Sequence, residues 1–488
     1  MSRFVAAQIL HRSTATLTPT STSSTSNFKF RPATAWLRSP SSFLAATVLF
    51  ALVLRLIVVA FVFRDVSAPT FDHGEFGFEM GWTARSLALG RGFSSPFLPL
   101  TGPTADIPPL YPFLLSLVFR IFGLYTAAAA VVILSLNSLF SALTCVPIYF
   151  TLRRAATLRI ARIAALGWAI YPFAIYFSAG RVWDYSLTAL LFATCFWAVQ
   201  RLHLLRTRRI AWLAFGLLYG LTVLSNPSLL SLFPFLLLMA LWKLRKKGGP
   251  WLSSGLLAVL GIFAVTAPWT ARNYRTLHVI CPVRDDFWDE FWSANNGDTS
   301  NPTLAWAHPA SSPSEMQDYI ASGEVRYFAQ KHVLATQFLA NHKLFFVGLT
   351  LRRIAGYWTG FWSLAPDYVK SEPFQLPNVF FCSTLTLFML IGLRRWWRTY
   401  RAAAFPYLIA IVLFPIAYYV SHPLMDYRQP IEPVILSLVV IGIFGLQNEF
   451  SLSPLELDDE SLLLCELACE EADEDPVPAA AMSLDAVS

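Results

Sequence analysis

Long apolar runs recur along this chain, and they constrain its fold more than any other feature. Phe43–Phe63, Ala127–Phe150 and Gly255–Trp269 approach or exceed the ~20 residues that a helix needs to cross a hydrocarbon core. Only 14% of the residues are charged, about half the share in a soluble domain, and the charges cluster between the apolar runs. Sixteen Trp and seventeen Tyr suit the membrane–water interface, where a ring with an apolar body and a polar tip is wetted at one end only. The expected fold class is therefore all-α: a polytopic transmembrane helix bundle of about ten spans with extracytoplasmic interfacial helices and loops.

Charge sets the orientation. From Gln447 onward there are twelve Asp or Glu and no Lys or Arg, so the preceding residues hold all 37 basic side chains against eighteen acidic ones. The basic residues concentrate in short loops (Arg153–Arg162, Arg201–Arg209, Lys243–Lys247 and Arg394–Arg401), which are expected on the cytoplasmic side. No soluble basic surface suggests nucleic-acid binding. Residues 1–40, rich in Ser and Thr, are expected to be a disordered cytoplasmic leader, and 447–488 an acidic cytoplasmic tail. Between them lie an N-terminal membrane region (41–269) with a first extracytoplasmic loop at 64–124, an extracytoplasmic region (270–375) and C-terminal membrane helices (376–446). The expected spans are about 42–63, 125–152, 160–179, 184–201, 210–226, 228–243, 251–269, 376–393, 403–420 and 431–446. Pro108–Phe122 and Leu344–Trp362 are read as interfacial, because counting either as a span would put the next basic loop outside.

In this topology the unusual polar residues gather on the outer face. The first loop holds Asp72, Glu75 and Glu79, and Glu79 falls at the start of a helical pattern. A carboxylate close to apolar walls gains proton affinity and can serve as a general base. Asp184, in Arg181-Val-Trp-Asp184, stands at the outer end of a span, where a carboxylate needs a partner or a task; an Arg181–Asp184 pair is the simpler alternative. Arg272 and Asn273 sit where a span exits, and His422, Tyr427 and Arg428 precede the last span. Either arginine has the fork geometry for a phosphate, the alternative being snorkelling to lipid headgroups. Asn295, Asn296 and Glu315 are weaker candidates for sugar or acceptor contacts. The six cysteines imply no disulfide framework, and the Cys465/Cys469 spacing lacks the histidines of a zinc site.

The ordered set of Glu79-Met-Gly-Trp-Thr-Ala-Arg-Ser-Leu, Gly102-Pro-Thr-Ala, Pro108-Pro-Leu-Tyr-Pro, Trp183-Asp-Tyr-Ser-Leu, Leu224-Ser-Asn-Pro-Ser, Pro268-Trp-Thr-Ala-Arg-Asn and Tyr427-Arg-Gln-Pro-Ile-Glu-Pro resembles the glycosyltransferase-C superfamily. It is most similar to the bacterial branch related to dolichyl-phosphate-mannose–protein mannosyltransferases and the aminoarabinose transferase of lipid A. The likeness covers roughly residues 45–445. It implies a polyprenyl-phosphate-linked sugar as donor, an acceptor hydroxyl on protein, lipid or glycan, and a first-loop acid as catalytic base in an inverting displacement. The family's commoner pattern places its acid slightly ahead of the loop helix, so Glu75 and Asp72 stand beside Glu79. Some superfamily members use a divalent metal, and no ligand set here decides that point. The expected setting is a bacterial cytoplasmic membrane with the site facing outward. The rival readings are a secondary transporter, which should show repeats and midplane ionisable residues, and an inactive scaffold of the same fold.

Overall fold

The computed structural model describes residues 40–67, 74–297, 308–310, 312–362, 375–421 and 424–446. Asp72 and His422 lie outside the described residues, as do the leader and the acidic tail. The chain divides into Met1–Phe43, of which only Pro40–Phe43 is described, and Leu44–Ser488.

Among the described residues the regular structure is helical, apart from one isolated antiparallel bridge between Ser94 and Pro103. The helices in chain order are α1 (Pro40–Val66), α2 (Phe78–Ala88), α3 (Leu110–Phe122), α4 (Ala127–Leu143), α5 (Cys145–Ala155), α6 (Leu158–Ala169), α7 (Pro172–Ala179), α8 (Tyr185–Val199), α9 (Arg209–Ser225) and α10 (Phe233–Lys246). There follow α11 (Trp251–Leu277), α12 (Phe287–Ala294), α13 (Pro313–Ser322), α14 (Glu324–Asn341), α15 (Lys343–Thr359), α16 (Gln375–Thr399), α17 (Arg401–Leu413), α18 (Ile416–Val420) and α19 (Glu432–Phe444).

Among the described residues, seven helical stretches are long and apolar enough to cross a membrane: Pro40–Val66, Ala127–Ala155, Tyr185–Leu204, Trp251–Leu277, Leu376–Thr399, Arg401–Val420 and Asp426–Phe444. The pair α6 and α7, bent by 42°, makes an eighth if it is one span. The chain is an integral membrane protein. The sequence-derived count of about ten is not reached, because α9 and α10 have 17 and 14 residues. At a 1.5 Å rise they reach about 25 and 21 Å, short of a ~30 Å core. α9 compensates by packing closely on α11. A Cβ on Gly216 or Gly220 would collide with the α11 backbone or Val265, so the Gly-x-x-x-Gly spacing lets the two backbones approach.

The break between α6 and α7 is held by charges inside the bundle. Arg55 of α1 is fully buried and donates to Ala169 O at 2.8 Å, Trp168 O at 3.1 Å, Ala51 O at 3.0 Å and Ser141 Oγ at 3.0 Å. Trp168 and Ala169 belong to the last turn of α6, where carbonyls run out of helical donors; Trp168 O also accepts from Tyr171 N at 3.2 Å. On the other side Tyr171, at the break itself, donates to Glu432 Oε2 at 2.7 Å, and Glu432 pairs with Arg428 at 2.8 Å. Where water is absent, such groups must be met by protein, and these are.

Candidate active site

The site is built around α2. Met80, Ala84 and Leu87 recur at helical spacing and pack with Tyr111, Leu115 and Phe119 of α3, Val182 and Trp269. On another face Trp82 joins Phe97 and Tyr319, Tyr327 and Phe328 from helices α13 and α14. Glu79 is held between these two apolar clusters, its side chain only 13% exposed. The turn into α2 requires glycine. Gly77 has φ 95°, and a Cβ there would collide with Val182 O. That close approach brings the first loop against the Arg181–Asp184 segment.

Glu79 sits among like charges. Burial, and then the negative charges of Asp106 and Glu290, push its carboxyl up to about 8 against a lowering by Arg284. Asp106, 6% exposed, is also pushed up, by burial and then by Asp285 and Glu290, with Arg284 opposing. Arg284 is the cation of this basin. Its Nε donates to Asp106 O at 3.1 Å, while its terminal nitrogen pairs closely with Asp286 and stands 3.8 Å from Glu290. His308 faces Glu79 with Nε2 3.8 Å from Oε1, and its ring stands edge-on to Phe97. Ala310 N–H donates to His308 Nδ1 at 3.2 Å, so in the neutral imidazole the proton is on Nε2, toward Glu79.

The loop carrying Asp106 is fixed by a second buried acid. Glu324, at the start of α14, accepts from Ala105 N at 2.6 Å, from Tyr319 Oη at 2.7 Å and from Thr104 Oγ1. Arg272 completes the clamp. Its two terminal nitrogens donate to Thr104 O and Phe93 O, and one also to Asn273 Oδ1 at 3.1 Å. Asn273, fully buried, donates to Cys281 O at 3.0 Å.

The structure thus sorts the residues singled out in the sequence. Glu79 lies in the basin. Glu75 is exposed, in a 3₁₀ turn (Gly74–Phe76) before α2. Asp184 is buried and accepts from Thr188 Oγ1 at 2.8 Å, within electrostatic reach of Arg284. Arg181 turns away from it and donates to Tyr176 Oη at 2.9 Å, so the simpler Arg181–Asp184 pair does not form. The Arg284 charge acts on both Glu79 and Asp184. Tyr427 stacks on Tyr418 at 4.9 Å and faces the Glu290 and Arg284 charges. Arg428 is fully buried, bonded to Glu432 and to Tyr357 O at 3.3 Å, and Arg272 spends its terminal nitrogens on loop carbonyls. Neither guanidinium has a free fork for a phosphate. Asn295 is bonded to Phe291 O, Val420 O and Arg353, and Glu315 to Lys331 and Tyr327, so both serve the fold.

Arg284, Asp106, Glu290 and His308 were not singled out by sequence reasoning. The available signal was the density of charge in Arg284-Asp-Asp-Phe-Trp-Asp-Glu290, within a loop region otherwise poor in it. Among the described residues no three of His, Cys, Asp and Glu converge as metal ligands.

Residues 106–269, about a third of the chain, match the family model described as dolichyl-phosphate-mannose-protein mannosyltransferase. The family resemblance read from the sequence is borne out. No curated protein matches the chain in sequence. Among solved structures, the oligosaccharyltransferase AglB of Archaeoglobus fulgidus, in complex with an inhibitory peptide and a dolichol-phosphate, is 15% identical with a TM-score of 0.49. The match covers 91% of this chain and 53% of that one. An oligosaccharyltransferase of Archaeoglobus fulgidus in complex with zinc and sulfate gives 16% identity and a TM-score of 0.44, covering 86% of this chain and 51% of that one. ArnT from Cupriavidus metallidurans, bound to undecaprenyl phosphate, is 15% identical over 83% of this chain and 78% of that one, with a TM-score of 0.37. The chain spans about half the length of the archaeal structures it matches.

Proposed function

We propose that the chain transfers a sugar from a polyprenyl-phosphate donor to an acceptor hydroxyl at the outer face of a bacterial cytoplasmic membrane. The observation that carries this reading is the crowding of Glu79, a mostly buried carboxyl set among acids beside one cation. A general base works best with a proton affinity near the working pH, and burial brings Glu79 into that range. The family match supports the donor class.

The reaction is a single displacement. Glu79 takes the proton of the acceptor hydroxyl as its oxygen attacks the anomeric carbon. The bond from that carbon to the phosphate oxygen breaks, and polyprenyl phosphate leaves with the electron pair. Inversion follows from attack on the face opposite the leaving group. Arg284, which reaches both Glu290 and the Asp106 backbone, meets the developing phosphate charge in place of Arg428 or Arg272. Asp184, held by Thr188, orients the acceptor.

The test is turnover of radiolabelled polyprenyl-phosphate sugars by purified protein in detergent, with wild type compared against Glu79→Gln and Asp184→Asn. Transfer or hydrolysis by wild type, lost in Glu79→Gln while the donor is still retained, supports the assignment. Full activity in Glu79→Gln moves the base to Glu75 or Asp72, and no turnover of any donor by wild type removes the enzymatic reading.

A further inference from the structure

At the end of the bundle opposite the acidic basin, α16 and α17 enclose a groove of about 280 Å³ lined by Leu390, Leu393, Arg394, Trp397, Arg398 and Leu408. Five of these lie on α16 at i, i+3, i+4, i+7 and i+8, which is one face of a helix. The other faces are already used. Gly392 lies so close to Leu438 O of α19 that a Cβ could not be added, Arg395 donates to Gly442 O at 2.7 Å, and buried Trp396 packs on Tyr407 at 4.7 Å. Arg394 and Arg398 are exposed on the remaining face, and among the described residues neither has an acidic partner. The groove therefore has a leucine floor on the membrane side, a tryptophan on its wall and two unneutralised guanidiniums one helical turn apart at its rim.

We infer that this groove binds an anionic phospholipid at the cytoplasmic leaflet, with Arg394 and Arg398 on the phosphate headgroup and the leucines against the first part of an acyl chain. Charge complementarity selects the occupant, since the cytoplasmic leaflet presents anionic headgroups and basic pockets between membrane helices bind them. A volume near the lower end of small-molecule sites takes a headgroup and a few methylenes, not a whole lipid. Two planar forks one turn apart suit a phosphate better than point charges would. The acidic segment 447–488 is the competing occupant by charge, but its sequence offers the carboxylates without a reason for the three leucines.

The experiment is native mass spectrometry of the full chain in detergent, titrated with phosphatidylglycerol or phosphatidylcholine. Phosphatidylglycerol should bind about tenfold more tightly, in line with two basic residues beside an anionic headgroup. The Arg394→Gln/Arg398→Gln variant should lose that preference. Leu393→Trp should lose it too, because it fills the groove and keeps both charges. Arg206→Gln/Arg208→Gln, in another exposed basic loop, should retain it. Equal binding of the two lipids, an equal loss in the Arg206/Arg208 variant, or a preference surviving Leu393→Trp would overturn the inference. So would displacement of phosphatidylglycerol by millimolar inorganic phosphate, which marks a free-anion site. A preference that appears only after deletion of 447–488 would assign the arginine pair to the acidic tail.

Discussion

Arg55, Arg428 and Glu432 lie inside the spans with no exposure, and protein groups meet each of them: four acceptors for Arg55, and a paired carboxylate, a carbonyl and a tyrosine hydroxyl for the other two. Glu79 and Asp106, outside the spans, are almost as deeply placed, yet their neighbours are mainly other acids and the shared Arg284. The difference separates charge that holds the fold from charge held ready for a reaction. A group whose hydrogen bonds are complete has nothing left for a substrate. A carboxyl kept out of water and crowded by like charge takes up a proton readily, and that is the property a base needs.

This comparison can be broken from either side. The largest effect expected is outside the spans. Glu79→Gln should lower kcat by about 10²–10⁴, the range of a lost general base, with donor retention unchanged in a filter-binding assay. A loss of donor binding in place of turnover would make Glu79 a binding group. Within the spans, Glu432→Ala strands the Arg428 charge and should cost about 3–5 kcal/mol in unfolding experiments in detergent. A silent Glu432→Ala would mean that the pair is not holding the bundle. Arg55→Met should cost less, about 1–3 kcal/mol for the Ala169 carbonyl left without a donor, read from the same unfolding curves.

The smallest effect expected is a pH slope in stability. Glu79 ionises near its usual value in the unfolded chain but near 8 in the folded one, so between those values the folded state binds more protons. Its contribution to stability is therefore fully present below the unfolded pKa and is lost as pH rises through about 8. Melting temperature should fall as pH rises from 5 to 8.5, and Glu79→Gln should flatten part of that fall. An unchanged slope in the variant would assign the proton uptake to other acids.

The helical class was legible in the sequence, and so was the burial of Glu79 against the exposure of Glu75. Run length, positive loops and position in a helical pattern each report a local property. What the sequence concealed was pairing across distance. Arg428 resembles a free rim cation until Glu432, four residues on, is seen to claim it. Arg272 likewise appears available until the carbonyls of Phe93 and Thr104, far off in sequence, are placed under it. Arg284 has the reverse history, since only the fold brings Asp106, Glu290 and Asp184 to it. Apolar content alone does not say how far a helix reaches, and α9 and α10, counted as spans in the sequence, have 17 and 14 residues.

The measurement that tests the central claim most directly is the pH dependence of kcat/KM for sugar transfer by wild type and Asp106→Asn. If Glu79 is the base and the Asp106 charge helps raise its proton affinity, wild-type kcat/KM should climb with pH to a plateau with a midpoint near 8, and Asp106→Asn should move that midpoint downward. A flat profile, or a midpoint that does not move when Asp106 is neutralised, would contradict the account.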